Sequence, residues 1–81
     1  MRVRLRLFAS LRDAAGFESS ELELPDGITI GEVWERLCIQ YPSLARYREH
    51  VMMARNRRYV TFEDRLADGD EIALFPPVSG G

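Results

Sequence analysis

The strongest constraint on this chain sits at its two ends. Residues 2–8, RVRLRLF, alternate strictly, with Val3, Leu5 and Leu7 on one side and Arg2, Arg4, Arg6 and Phe8 on the other. A period of two marks a strand with one buried face. Residues 71–75, EIALF, repeat the pattern, with Ile72 and Leu74 on one side and Glu71, Ala73 and Phe75 on the other. Two such strands need a cover for their apolar faces. The sequence offers one segment long enough. Thr29 and Glu32 have capping-box spacing, so the hydroxyl and the carboxylate can each satisfy a free backbone N–H. Ile30, Val33, Trp34, Leu37, Cys38 and Tyr41 then recur on one helical face, and Pro42 ends the run.

Shorter elements fill the intervals. ASLRDAAG carries helix formers and stops at Gly16, a C-terminal cap. SELEL (Ser20 to Leu24) alternates as a second strand, and PDG follows as a turn. SLARYREH is poorly periodic and predicts one irregular helical turn. VMMAR and YVTF read as strands joined by an NRR turn, and LADGD turns around Gly69 into the last strand. One long helix against a mixed sheet is an α+β arrangement. The order fits a β-grasp, with the first and last strands as parallel neighbours in the middle. The expected division is a β-grasp domain over residues 1–75 and an extended, flexible Gly-Gly tail over residues 76–81.

Composition removes several classes of function. A formal charge of -2 with no clustered basic run argues against nucleic-acid binding. The lone Cys38 permits neither a disulfide framework nor a Cys-rich metal or iron–sulfur site within one chain. It lies on the apolar helix face and reads as a buried structural thiol. No apolar run reaches membrane-spanning length and the N-terminus is not an apolar signal segment, so the expected location is the cytoplasm. All eleven basic residues are Arg, which rules out lysine-dependent chemistry in the chain. His50 has no ligand partner at a recognisable spacing, and Asp68 and Asp70 read as solvated turn residues flanking Gly69.

Two features remain. Strand parity places Phe8 and Phe75 opposite the core, and Tyr59 joins them if its strand pairs in the expected register. Aromatic residues grouped on one sheet face suggest a protein-docking patch. Beside them the sequence reads FPPVSGG. Pro76 and Pro77 stiffen the base of a tail, which limits the entropy lost on threading into a partner. Val78 and Ser79 line its path, and Gly80 and Gly81 remove side chains that would obstruct a narrow channel. Six residues extend about 20 Å at roughly 3.3 Å per residue. A terminal carboxylate is a poor acyl donor until it is activated, for instance as an acyl-adenylate.

LFASLRDAAG near the start and LADGDEIALFPPVSGG at the end resemble the MoaD family, the small subunits of molybdopterin synthase. The resemblance covers essentially the whole chain and is most specific from Asp68 to Gly81. One departure is Arg55, where the family usually has an apolar residue before the turn Asn, here Asn56. The resemblance implies the ubiquitin-like form of the β-grasp, and that a MoeB-like enzyme uses ATP to adenylate Gly81. A sulfur donor such as a cysteine desulfurase or rhodanese then converts it to a thiocarboxylate. A MoaE-like large subunit takes the tail, and the sulfur passes to cyclic pyranopterin monophosphate to form the dithiolene of molybdopterin. Two small subunits and a large-subunit dimer make a heterotetramer. Catalytic side chains belong to the large subunit, and no cofactor is bound by this chain. Phe8, Tyr59 and Phe75 match the family's hydrophobic contact with its partners. Related carriers in thiamine synthesis, tRNA thiolation or protein conjugation share the same tail chemistry. A β-grasp binding module with an inert tail is the reading from another class.

Overall fold

The computed structural model of the chain describes residues 1–77. Its central feature is the parallel pairing of β1 (Arg2–Leu7) with β5 (Glu71–Phe75), in which Leu5 stands beside Ile72 and Leu7 beside Leu74. Parallel neighbours require a crossover, and the helix α2 (Ile30–Gln40) lies within it. β2 (Ser19–Glu23) pairs antiparallel with β1, and β3 (Met52–Arg55) pairs antiparallel with β5 and with the two-residue β4 (Arg58–Tyr59). The mixed sheet has the order β2-β1-β5-β3-β4. This is the β-grasp expected from the alternation at the chain's ends, in the ubiquitin-like form that the resemblance implies.

The core forms between one sheet face and α2. Val3, Leu5, Leu7, Ile72 and Leu74 are buried, and so are Ile30, Val33, Trp34, Leu37 and Cys38 from the helix. Leu11 from the short helix α1 (Ala9–Ala15) and Leu44 from a 3-10 turn (Pro42–Tyr47) close two sides. Truncating a buried Leu costs about 2–5 kcal/mol. The pairs on the opposite face, Arg2–Glu23 and Arg4–Glu21, are exposed and screened by solvent and add little. Stability therefore comes from the helix-facing side, and the other face carries few demands of its own. Among the described residues no helix is long and apolar enough to cross a membrane.

The N-terminus of α2 is over-determined. The Glu32 N–H donates to Thr29 Oγ1 at 3.2 Å, while Glu32 Oε1 accepts from the Thr29 N–H at 3.2 Å and from its hydroxyl at 3.0 Å. The next orphan donors are satisfied by a distant loop. The Ile30 N–H donates to Asp64 O and the Gly31 N–H to Phe62 O, both at 2.9 Å. A Cβ on Gly31 would lie 3.2 Å from the Phe62 carbonyl oxygen, so this close approach explains the glycine. The same bonds correct the expected strand over YVTF. Only Arg58–Tyr59 join the ladder. The Val60 N–H still reaches Met53 O at 3.2 Å, after which the chain leaves the sheet edge to cap α2.

Thr29→Ala removes an N-cap acceptor and is expected to lower unfolding free energy by about 1 kcal/mol. Hydrogen bonds from the Thr29 backbone N–H, and then from its hydroxyl, hold the Glu32 carboxyl below its ordinary value of 4.5. A depressed folded-state value means that stabilisation is present above that ordinary value and is lost as pH falls through the folded one. The stability gap between wild type and Glu32→Gln should therefore narrow on acidification below it. A gap that widens in urea titrations at acid pH contradicts the cap.

Candidate functional site

The alternation that buries Leu5 and Leu7 sends the intervening residues to the opposite face. There Phe8, Tyr59 and Phe75 meet. The Phe8 and Phe75 rings pack edge to face at 6.4 Å between centroids, and Tyr59 lies 6.0 Å from Phe75 on the other side. Phe8 is 37% exposed and Tyr59 72% exposed, which is unusual for side chains of this size. Backbone geometry holds both in place. The Phe8 N–H donates to Leu74 O at 3.1 Å, and Ala9 then takes a left-handed φ of 51° that turns the chain from β1 into α1. Tyr59 stands opposite Ala54, which in turn stands opposite Ala73.

Those two alanines leave a hollow between the rings. It is an open cleft of about 440 Å³ lined by Arg6, Phe8, Ala54, Arg57, Glu71, Ala73 and Phe75. Pro76 follows Phe75 directly and is half-buried, and Pro77 is exposed. The chain thus leaves the sheet at the cleft's rim. The tail positions Val78, Ser79, Gly80 and Gly81 lie outside the described residues. Of the lining residues, Arg6, Arg57, Ala54, Ala73 and Glu71 were not expected as site residues. For Arg6, Glu71 and Ala73 the signal lay in outward strand parity, and for Ala54 and Arg57 it lay only in the pairing of β3.

The turn that carries Arg57 is fixed by a polar network, which overturns the reading of Asp70 as a solvated residue. Asp70 is only 8% exposed. Its Oδ1 accepts from Asn56 Nδ2 at 2.9 Å, its Oδ2 accepts from the Ala67 N–H at 2.8 Å, and Arg55 Nη1 stands 3.7 Å away. Asn56 Oδ1 in turn accepts from the Glu71 N–H at 2.9 Å. Asn56 and Arg57 take φ values of 51° and 72°, the left-handed pair of a two-residue hairpin turn. Arg55 occupies its inward-parity position by passing its guanidinium out to Arg65 O at 2.6 Å. Asp68 does sit at the surface, where its carboxylate accepts from the Arg2 N–H at 2.7 Å.

Other candidates separate from the cleft. His50 is exposed beyond the 3-10 turn. Cys38 is buried against the core, and burial pushes its thiol up, away from the thiolate that a nucleophile needs.

The mixed sheet packed on α2, with an aromatic cleft on its open face and Pro76 leaving at the rim, defines a ubiquitin-like protein. Residues 5–81 match the ThiS family, and the chain belongs to that family of ubiquitin-like sulfur carriers. The molybdopterin synthase sulfur carrier subunit of Arabidopsis thaliana is 33% identical over 81 residues, covering 100% of this chain and 84% of that protein. Small archaeal modifier protein 1 of Haloferax volcanii is 32% identical over 84 residues, covering 94% of this chain and 97% of its own. A crystal structure of that modifier superposes with a TM-score of 0.86 over 100% of both chains, at 31% identity. The fold also recurs, at 24% identity and a TM-score of 0.70 over 100% of both chains, in a Helicobacter pylori complex of subunits 1 and 2 of molybdopterin-converting factor.

Asp70→Ala would leave the Ala67 N–H and the Asn56 amide without their acceptor. The expected cost is about 1–3 kcal/mol of unfolding free energy. Unchanged stability in denaturant titrations would remove the network from the account of the turn.

Proposed function

We propose that this chain is the sulfur-carrying small subunit of a molybdopterin synthase. The observation that carries the reading is the placement of the aromatic cleft at the end of β5, so that a partner seated on Phe8, Tyr59 and Phe75 also receives the segment that starts at Pro76. Full-length similarity to a molybdopterin synthase sulfur carrier subunit supports it. In this reading the Gly81 carboxylate attacks the α-phosphorus of ATP in an adenylating enzyme and expels pyrophosphate. The outer sulfur of a donor persulfide then attacks the acyl-adenylate and AMP leaves. A second thiol cleaves the S–S bond of the resulting acyl disulfide, ends in a disulfide with the donor sulfur, and leaves Gly81 as a thiocarboxylate. The large subunit seats the cleft and threads the tail, and the sulfur passes to cyclic pyranopterin monophosphate while Gly81 returns to a carboxylate. A dithiolene contains two sulfur atoms, so two charged carriers are consumed for each product. The chain's own part is to dock, to aim the tail and to present one acyl carbon. Gly80 lets the backbone take whatever angle the channel requires.

A second reading is protein modification, favoured by the similarity to small archaeal modifier protein 1. The activated Gly81 would then be attacked by an amine of another protein, with the same docking face and the same first step.

Incubation with an adenylating enzyme, ATP and a sulfur donor should replace one oxygen by sulfur at Gly81 in intact-mass analysis, and removal of Gly81 should abolish that change without altering the thermal midpoint. An unmodified mass under conditions that load a known carrier sinks the proposal. Product formation from cyclic pyranopterin monophosphate with the large subunit separates sulfur transfer from conjugation. Phe75→Arg should weaken binding to the large subunit by about tenfold or more, as loss of a central aromatic contact does. Calorimetry that finds equal affinity places docking elsewhere.

A further inference from the structure

Among the described residues, the register of β1 leaves one of its three arginines without a counter-ion. Arg2 stands opposite Glu23 and Arg4 opposite Glu21 on β2, and both are paired, at 2.9 Å and 3.4 Å. Arg6 stands opposite Ser19 on that side and beside Ala73 on the other, so neither neighbouring strand brings it a carboxylate. Arg57, in the β3–β4 turn, is likewise in no ion pair among the described residues. Both line the aromatic cleft. Glu71 is the carboxylate on that lining, and its register partner is Arg4, two residues along the strand from Arg6. Arg6 is half-buried, with its guanidinium carbon 5.0 Å from the Phe8 ring centroid. That cation–π contact restrains the side chain, so less entropy is lost when a further group binds it.

We infer that Arg6, assisted by Arg57, recognises a carboxylate on the protein partner that fills this cleft. The partner presents an aspartate or glutamate beside the apolar side chain it lays against Phe8 and Phe75. A planar guanidinium suits this role because it can donate two parallel hydrogen bonds to one carboxylate. The neighbouring arginines cannot substitute, since β2 already neutralises them. This inference rests on the docking reading above and adds a charge requirement to it.

The test uses the full chain, the purified large subunit of molybdopterin synthase and association kinetics over a range of salt. Arg6→Gln should slow association about threefold to tenfold at low ionic strength, because loss of a rim charge acts mainly on encounter. The gap should close as salt is raised and the attraction is screened. Arg4→Gln makes the same change in net charge at a neutralised position and should stay close to wild type. Matched thermal midpoints for the two variants keep the comparison one of charge alone. Equal rates and equal salt slopes for Arg6→Gln and Arg4→Gln would overturn the inference. If Phe75→Arg weakens binding in that same experiment, the docking reading survives its loss. If Phe75→Arg binds as wild type does, the docking reading fails and the inference with it. Self-association of the wild-type chain that Arg6→Gln abolishes would also overturn it, by making a second copy the occupant.

Discussion

The parallel contact between β1 and β5 is the interaction on which the rest of the molecule depends. It joins the first strand to the last and fixes the register of both. Once Leu5 lies beside Ile72 and Leu7 beside Leu74, every other position on both strands is committed to the outer face. Arg6 then has to stand next to Ala73, and Phe8 has to meet Phe75. A slip of one residue would bury Arg4 and Arg6 and expose the leucines. The burial of several aliphatic side chains at about 1.5–3 kcal/mol each forbids this. The core thus specifies the outer aromatic face without touching it.

How much of this could be read from the sequence follows from how local each signal is. α2 was legible because its cap, its apolar spacing and its stop lie within fourteen consecutive residues, from Thr29 to Pro42. The short helix ending at Gly16 was legible for the same reason, and that glycine has a φ of 87° with its N–H on Arg12 O. The central parallel pair was legible because two alternating strands and one long helix admit few arrangements. Asp70 was misread because a turn sequence gives no sign of burial. Its partners Asn56 and Arg55 arrive from another hairpin, and only Ala67 is nearby in the chain. The shortness of β4 was illegible as well. The carbonyls of Phe62 and Asp64 serve the start of α2, thirty or more residues earlier, and no pattern within YVTF announces that commitment.

The candidate site divides along the same line. Phe8 and Phe75 were placed outward by parity alone, and the structure brings their rings together. Tyr59 depended on the pairing of β3 with β4, which puts it opposite Ala54. The hollow among the rings has a cause that is easy to overlook in a sequence, namely the smallness of Ala54 and Ala73. Larger residues there would flatten the face and leave the aromatic side chains no depth. Arg6 escaped notice because the three arginines of β1 look equivalent until the register shows that only two face a glutamate.

The resulting arrangement separates folding from function in energetic terms. The helix side holds the buried apolar surface, while the outer face offers exposed rings, one restrained cation and a short exit to the tail. Substitutions on that face can change the partner without reaching the core. Relatives similar over nearly the whole chain bear different names, a molybdopterin synthase sulfur carrier subunit and a small archaeal modifier protein. If the proposed docking holds, the charge pattern around the rings is the part of the sequence in which partner choice is encoded. Arg6 is the residue whose neighbours make that choice readable, because both adjoining strands place an uncharged side chain beside it.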